Sequence, residues 1–145
     1  MSGDGRRRRG RWSEFHSADE AEGVTKVERW LDDLRRHGAD AAFIVSKGRE
    51  RYEEDSLEGR LLRNASERIL INVATVAERL PESYKAGHPS VDWRGLQRMR
   101  NLVAQHVDKV ESAAMWSALE HRIPDLLATL ALAERSRPQR QPRGG

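Results

Sequence analysis

The stretch from Leu62 to Leu80 constrains the fold of this chain more than any other. Apolar residues recur in it at steps of three and four, the spacing of one helix face: Leu62, Ala65, Ile69, Val73, Val76 and Leu80. Ser56 is predicted to cap the start of this helix, because its hydroxyl can accept from a free backbone N–H of the first turn. Pro81 is predicted to end it, because proline lacks the backbone N–H that a helix needs. So long an apolar face requires other elements to pack against it.

Apolar residues at the same spacing predict an earlier helix, which carries Val24, Val27, Trp30, Leu31 and Leu34. Gly38 is predicted to end that helix, since glycine is common just past a helix C-terminus. Asp40 is then predicted to cap a short helix over residues 42–45. The charged residues 48–55 are predicted to connect it to the long helix.

Two further helices are predicted after Pro81 and a loop over residues 82–90. Asp92 is predicted to cap the first of them, which carries Trp93, Leu96, Met99, Leu102, Val103 and His106. After a predicted break at residues 108–112, the last helix carries Met115, Trp116, Leu119, Ile123, Leu126, Leu127 and Leu130. Pro124 lies inside this pattern, and it either kinks the helix or starts a second one. With almost no strand signal, these four to five amphipathic helices predict an all-α, up-and-down bundle.

The length of 145 residues fits one domain with two tails. Residues 1–18 are predicted to be a disordered Arg-rich tail, 19–135 the helical bundle, and 136–145 a disordered Pro/Arg-rich tail. Residues 1–15 hold five arginines and two acidic residues, and residues 134–145 hold four arginines and one. The body between them is therefore mildly acidic, although the net charge is +3. The tails either contact nucleic acid or an acidic partner, or are solvated ends.

Several classes of function are disfavoured by what the composition lacks. The chain has no cysteine, so disulfides and thiolate metal sites are excluded and a reducing, cytoplasmic location is expected. No metal site and no cofactor are expected, since there is no Gly-rich phosphate loop and four histidines show no i, i+4 pairing: His16, His37, His88 and His121. No apolar run approaches the roughly 18 residues of a membrane span.

Residues 93–108, WRGLQRMRNLVAQHVD, combine an Arg100–Asn101 pair with His106 a short distance later. This arrangement resembles the Arg-Asn…His motif of HEPN-domain ribonucleases, in particular the HepT-like toxins. Weaker family-like stretches stand in the same order at residues 79–82, 88–89, 93–94, 115–116 and 123–126. The resemblance covers about residues 24–133, and the two tails lie outside it.

The resemblance implies a helical bundle that forms a homodimer and cuts RNA without a metal, at a site where the motifs of two subunits meet. It also implies a role as the toxin of a toxin–antitoxin pair, with a minimal nucleotidyltransferase antitoxin as partner. His106 would take the proton from a ribose 2′-hydroxyl, and cleavage would leave a 2′,3′-cyclic phosphate. Arg100 would stabilise charge on the phosphate, and Asn101 would orient these groups or cap the helix end.

The motif departs from the usual HepT-like pattern at two positions. Gln105 stands where the His usually lies, and glutamine cannot act as a general base. Val107 stands where the family has a Tyr, and valine cannot accept the nucleotidyl group that the antitoxin places there. The chain also has Ala74–Thr75 where many relatives carry a Gly-Glu pair. An alternative is therefore a catalytically degenerate HEPN-fold protein that binds RNA or a partner.

Helical geometry keeps two interpretations of the motif residues open. In an unbroken helix, Asn101, Gln105 and Asp108 share a polar face, whereas His106 lies on the apolar face with Met99. His106 would then be a packed, hydrogen-bonded residue, but it could act as the base if the helix ends near Gln105. Likewise, Arg100 either binds phosphate or forms an ordinary ion pair on the helix surface.

Overall fold

The structure is a computed structural model that describes residues 25–104 and 109–132, with the backbone alone for 109–111. The predicted tails and residues 105–108 lie outside the described residues. The described ranges contain helices and no strand, so the predicted all-α bundle is confirmed. The helices are α1 (residues 25–46), α2 (Arg49–Glu53), α3 (Leu57–Arg79), α4 (Glu82–Ala86), α5 (Trp93–Gln97), α6 (Met99–Ala104), α7 (Lys109–Ser117) and α8 (Ile123–Thr129). A π-helical turn, Ala118–Arg122, joins α7 to α8.

Helix α3 is the central element, and α2, α5, α6 and α7 all pack against it. Both of its predicted ends are confirmed. The Ser56 hydroxyl accepts from the backbone N–H of Gly59 at 3.1 Å, and Leu80 is extended before Pro81. The predicted apolar face is wrong at Ala65, which is exposed, whereas the neighbouring Ser66 is buried.

The buried Tyr52 joins α2 to the rest of the core. Its ring lies 5.0 Å from that of Trp116, between centroids. Its hydroxyl lies 2.9 Å from the hydroxyl of Ser66, which donates to the carbonyl of Arg63 at 2.7 Å. Ser66 therefore accepts from Tyr52, and a polar pair inside the core has its hydrogen bonds satisfied. Burial raises the pKa of the Tyr52 hydroxyl, which keeps this donor protonated.

Two predictions about the first helix were wrong. Helix α1 runs through Gly38 instead of ending there, so Asp40 lies inside α1 and caps no separate helix. Gly38 faces α8, where a Cβ atom at this position would stand 2.2 Å from Cδ1 of Leu127. The glycine therefore lets two helices approach closely, and it marks a packing contact where the sequence predicted a helix end.

The segments after Pro81 are more helical than predicted. The predicted loop over residues 82–90 contains α4, from which the buried Lys85 donates to the carbonyl of Ala77 at 2.8 Å. This contact places an ammonium group near the C-terminus of α3, where positive charge is favourable. The predicted break at residues 108–112 was wrong in part, because α7 begins at Lys109. Pro124 lies in the first turn of α8, directly after the π-helical turn. The backbone stays helical on both sides of this turn, so the proline marks an irregular turn within one continuous helical segment.

No helix in the described ranges is both long enough and apolar enough to cross a membrane.

We expect Ser66→Ala to lower the free energy of unfolding by about 1–3 kcal/mol, because it leaves the buried hydroxyl of Tyr52 without an acceptor. In a Tyr52→Phe background, Ser66→Ala should lower the free energy of unfolding by less, because no buried hydroxyl donor is then left unpaired. Chemical denaturation of the two single variants and the double variant measures this coupling. Ser46→Ala, an exposed serine in α1, is the control and should change stability by less than about 0.5 kcal/mol. Additive losses in the double variant would contradict the assignment.

Candidate functional site

Helix α5 is held by its own cap, by a contact with the loop that follows α4, and by a contact with α3. The predicted cap is confirmed, because the Asp92 carboxylate accepts from the backbone N–H of Gly95 at 3.0 Å. The indole N–H of Trp93 donates to the carbonyl of His88 at 3.1 Å, and the Gln97 amide donates to the carbonyl of Ala77 at 3.3 Å. These contacts give the motif segment a defined orientation at its start.

Gly95 is needed for the close packing around this cap. A Cβ atom there would stand 2.2 Å from the carboxylate of Asp92 and 2.9 Å from the guanidinium of Arg122. Any side chain at position 95 would therefore disturb the cap of α5.

The helix that carries the motif is interrupted at Arg98, so the predicted continuous helix is wrong at this point. Helix α5 ends at Gln97 and α6 begins at Met99. The backbone N–H of Asn101 donates to the carbonyl of Arg98 at 2.8 Å, a tighter turn than an α-helix makes. Met99 is buried and Asn101 is exposed, as the predicted faces require.

Arg100 is held from α3 at two points. Its Nη1 donates to Oε1 of Glu78 at 2.8 Å, and its Nη2 donates to the hydroxyl of Thr75 at 2.9 Å. The Thr75 hydroxyl in turn donates to the carbonyl of Ile71 at 2.9 Å, which fixes its orientation. The side chain of Arg100 is still 41% exposed, so its guanidinium is both restrained and accessible.

The Arg100–Glu78 pair depends on the ionisation of the carboxylate. The hydrogen bond from Arg100 and the positive charge of that residue lower the pKa of Glu78 below its ordinary value of 4.5. A lowered folded-state pKa means that the stabilising effect is complete at neutral pH. The stabilisation by this pair is lost as the pH falls from 4.5 to below the lowered pKa of Glu78, because the carboxylate is then protonated.

Arg100 and Asn101 lie in a shallow, open surface depression of about 450 Å³, whose described lining is Glu78, Arg94, Gln97, Arg98, Arg100 and Asn101. Three of these side chains are cationic and one is anionic. Arg94 and Arg98 are exposed, and no ion pair or hydrogen bond from either side chain is formed within the described ranges. The depression is therefore suited to an extended anion more than to an enclosed small molecule.

The structure brings together two of the predicted site residues, Arg100 and Asn101. The others lie outside the described residues: Gln105, His106, Val107 and Asp108. Arg100 forms an ion pair with Glu78, as one of the two interpretations of this residue predicted. Both residues of the pair line the arginine-rich depression. Among the described residues, no group of three His, Cys, Asp or Glu side chains could hold a metal ion.

Sequence reasoning missed five residues of this site: Thr75, Glu78, Arg94, Gln97 and Arg98. Thr75 stands where the family resemblance led us to expect Glu, and its hydroxyl accepts from Arg100 instead. A carboxylate is nevertheless present, because Glu78 reaches the guanidinium from one helical turn further along α3. Glu78 lies three residues after Thr75, one helical turn along the same helix face, so this spacing was the signal in the sequence that could have indicated an acidic partner for Arg100.

The fold and the site define an all-α bundle with an arginine-lined surface depression. A family model described as ribonuclease HepT-like matches residues 27–132. The chain therefore belongs to the ribonuclease HepT-like family, a family of nucleases, and the resemblance seen in the sequence is confirmed.

One relative supports the same assignment. A protein of Thermococcus cleftensis, described as a probable ribonuclease HepT, is 28% identical to this chain over 98 residues. The matched region is 67% of this chain and 86% of the relative. No solved structure matches the chain.

We expect Arg100→Gln to raise the pKa of Glu78 towards its ordinary value, because the hydrogen bond and the charge that lower it are both lost. NMR titration of the Glu78 side-chain carboxyl carbon measures this change. Arg94→Gln is the matched control: it removes a cation from the same depression that does not contact Glu78, and the pKa should stay low. A Glu78 pKa that does not respond to Arg100→Gln would contradict the pairing.

Proposed function

We propose that this protein is a metal-independent endoribonuclease and acts as the toxin of a toxin–antitoxin pair. The observation that carries the proposal is the placement of Arg100, which is held by Glu78 and Thr75 yet exposed beside Asn101. Membership in the ribonuclease HepT-like family supports RNA as the substrate.

The proposed reaction is an attack of a ribose 2′-hydroxyl on the adjacent phosphorus. His106 accepts the 2′ proton, the 2′ oxygen bonds to phosphorus, and the bond from phosphorus to the 5′ oxygen breaks. The leaving 5′ oxygen takes a proton back from His106, and the other product carries a 2′,3′-cyclic phosphate. Atoms and charge balance without water or a metal. Asn101 orients the reacting groups.

Arg100 is suited to stabilise the charge that develops on the phosphate. A guanidinium has five N–H donors, of which Glu78 and Thr75 engage two. The remaining N–H groups are available to phosphate oxygens while the side chain stays restrained. A donor that is positioned in advance needs no reorganisation during the reaction, which is what transition-state stabilisation requires.

The proposed partners follow from the family resemblance. A second copy of this chain would bring a second motif to the site, and a minimal nucleotidyltransferase would be the antitoxin, with both proteins in the cytoplasm. Val107 offers no hydroxyl for a nucleotidyl group, so inhibition at this position would have to proceed by binding.

A second candidate function is favoured by Gln105, which stands at the usual position of the general base. In this case the chain is a catalytically degenerate family member that dimerises and binds RNA or a partner through the Arg100–Asn101 surface. Gln105→His would then create or strengthen cleavage, whereas it would add little to a protein that already uses His106.

We expect purified protein to cleave a mixed RNA pool in EDTA and to leave 2′,3′-cyclic phosphate ends. Arg100→Ala should lower the cleavage rate by about 10²–10³, the usual effect of removing one transition-state donor. His106→Ala should abolish cleavage, because it removes the proposed base. Arg60→Ala, an exposed arginine of α3 outside the depression, is the control and should cleave normally.

Undiminished cleavage by Arg100→Ala would refute the proposed mechanism. If the unaltered protein forms a stable dimer and binds RNA but does not cut it, the second candidate function replaces the first.

A further inference from the structure

We propose that Arg94 and Arg98 form a phosphate-binding subsite that holds single-stranded RNA beside the phosphate at Arg100. This inference rests on the proposed function and extends it, because it assigns the part of the site that binds substrate without reacting. The assignment uses the charge, the rigidity and the shape of the depression.

The charge distribution of the depression is the first argument. Arg94 and Arg98 are four residues apart, so their side chains share one face, and like charges at this spacing oppose each other. The depression offers one carboxylate, Glu78, and Arg100 already occupies it. Among the described residues, the side chains of Arg94 and Arg98 form no ion pair, so two exposed guanidinium groups stand together on this surface. A bound polyanion would stabilise this arrangement.

The rigidity of the surface is the second argument. Arg94 lies in α5 and Arg98 directly follows it, and this short helix is held by the cap of Asp92 and by the contact of Gln97 with the carbonyl of Ala77. Arg100 follows on α6, which is itself tied to α3. The three cations therefore project from one fixed surface, and a ligand that spans them meets donors whose positions are set in advance.

Arg98 connects this depression to a neighbouring one, and this continuity is the third argument. The second depression is lined by Asp92, Gly95, Arg98, Met99, Leu102 and Arg122. Arg98 belongs to both linings, and Arg122 lies beyond it in the second depression. The one carboxylate of that second lining, Asp92, accepts from the backbone N–H of Gly95. Guanidinium groups therefore continue from one depression into the next. An extended strand can follow this path, whereas a single small anion would use only part of it.

The lining also indicates how RNA would be recognised. None of the six described residues that line the depression is aromatic, so bases have no aromatic ring to stack on there. Guanidinium groups contact phosphate oxygens, which carry no sequence information. The subsite should therefore hold RNA of any sequence with similar affinity.

The test measures binding of a fluorescent 2′-O-methyl oligoribonucleotide by anisotropy across a range of salt concentrations. The blocked 2′ oxygen cannot attack, so binding is measured apart from cleavage. The variant Arg94→Gln/Arg98→Gln keeps helix propensity while removing both charges. We expect its affinity at low salt to fall about tenfold, and the slope of log affinity against log salt to shrink by about 1.4, or 0.7 per lost phosphate contact.

Two matched variants separate this effect from loss of structure or of net charge. Arg29→Gln/Arg60→Gln removes two exposed arginines from outside the depression, and it should keep the wild-type affinity and slope. Arg94→Lys/Arg98→Lys restores the charges, and it should recover the wild-type salt slope. Thermal unfolding monitored by circular dichroism checks that all variants are folded. With cleavable RNA, the Gln variant should show a raised KM and an unchanged kcat.

A wild-type slope and affinity in the folded Gln variant, together with normal cleavage, would overturn the subsite and leave the proposed function standing. No RNA binding by the unaltered protein would overturn both. Equal losses in the Gln variant and in Arg29→Gln/Arg60→Gln would assign binding to overall charge and so overturn the subsite.

Discussion

The hydrogen bonds from Arg100 to Thr75 and Glu78 tie the segment that carries the family motif to the central helix of the bundle. Because most of the described helices pack against α3, these bonds make the position of one exposed guanidinium depend on the whole core. They also divide the cations of the depression into two kinds. Arg100 is restrained by a carboxylate, whereas Arg94 and Arg98 are uncompensated within the described ranges. We propose that the restrained guanidinium of Arg100 takes part in the reaction, and that the guanidinium groups of Arg94 and Arg98 bind the substrate.

The fold could be predicted from the sequence wherever the signal was local. The spacing of apolar residues predicted the helices, and Ser56 and Asp92 act as the caps that their side-chain chemistry indicates. The prediction was wrong at Gly38, because a glycine that ends a helix and a glycine that admits a neighbouring helix look alike in sequence. The deciding contact is with Leu127, almost ninety positions further along the chain. Spacing alone carries no information about such a contact.

The candidate site could be predicted from the sequence in part. The family motif indicated Arg100 and Asn101 as site residues, and the structure places both in the arginine-rich depression. Their roles in cleavage stay predictions. The partners of Arg100 were missed because they come from α3, more than 20 residues earlier in the chain. Thr75 looked like the loss of a functional Glu, and the structure provides a carboxylate at Glu78 instead. The roles of residues 105–108 remain predictions from the motif, since these residues lie outside the described ranges.

A crystal structure of the protein with a 2′-O-methyl oligoribonucleotide would test most directly the claim that the depression around Arg100 is the RNA site. We predict a backbone phosphate within hydrogen-bond distance of the Arg100 guanidinium, with Glu78 still paired to it. The neighbouring phosphate should contact Arg94 or Arg98. RNA bound on another surface, with the depression empty, would contradict the account.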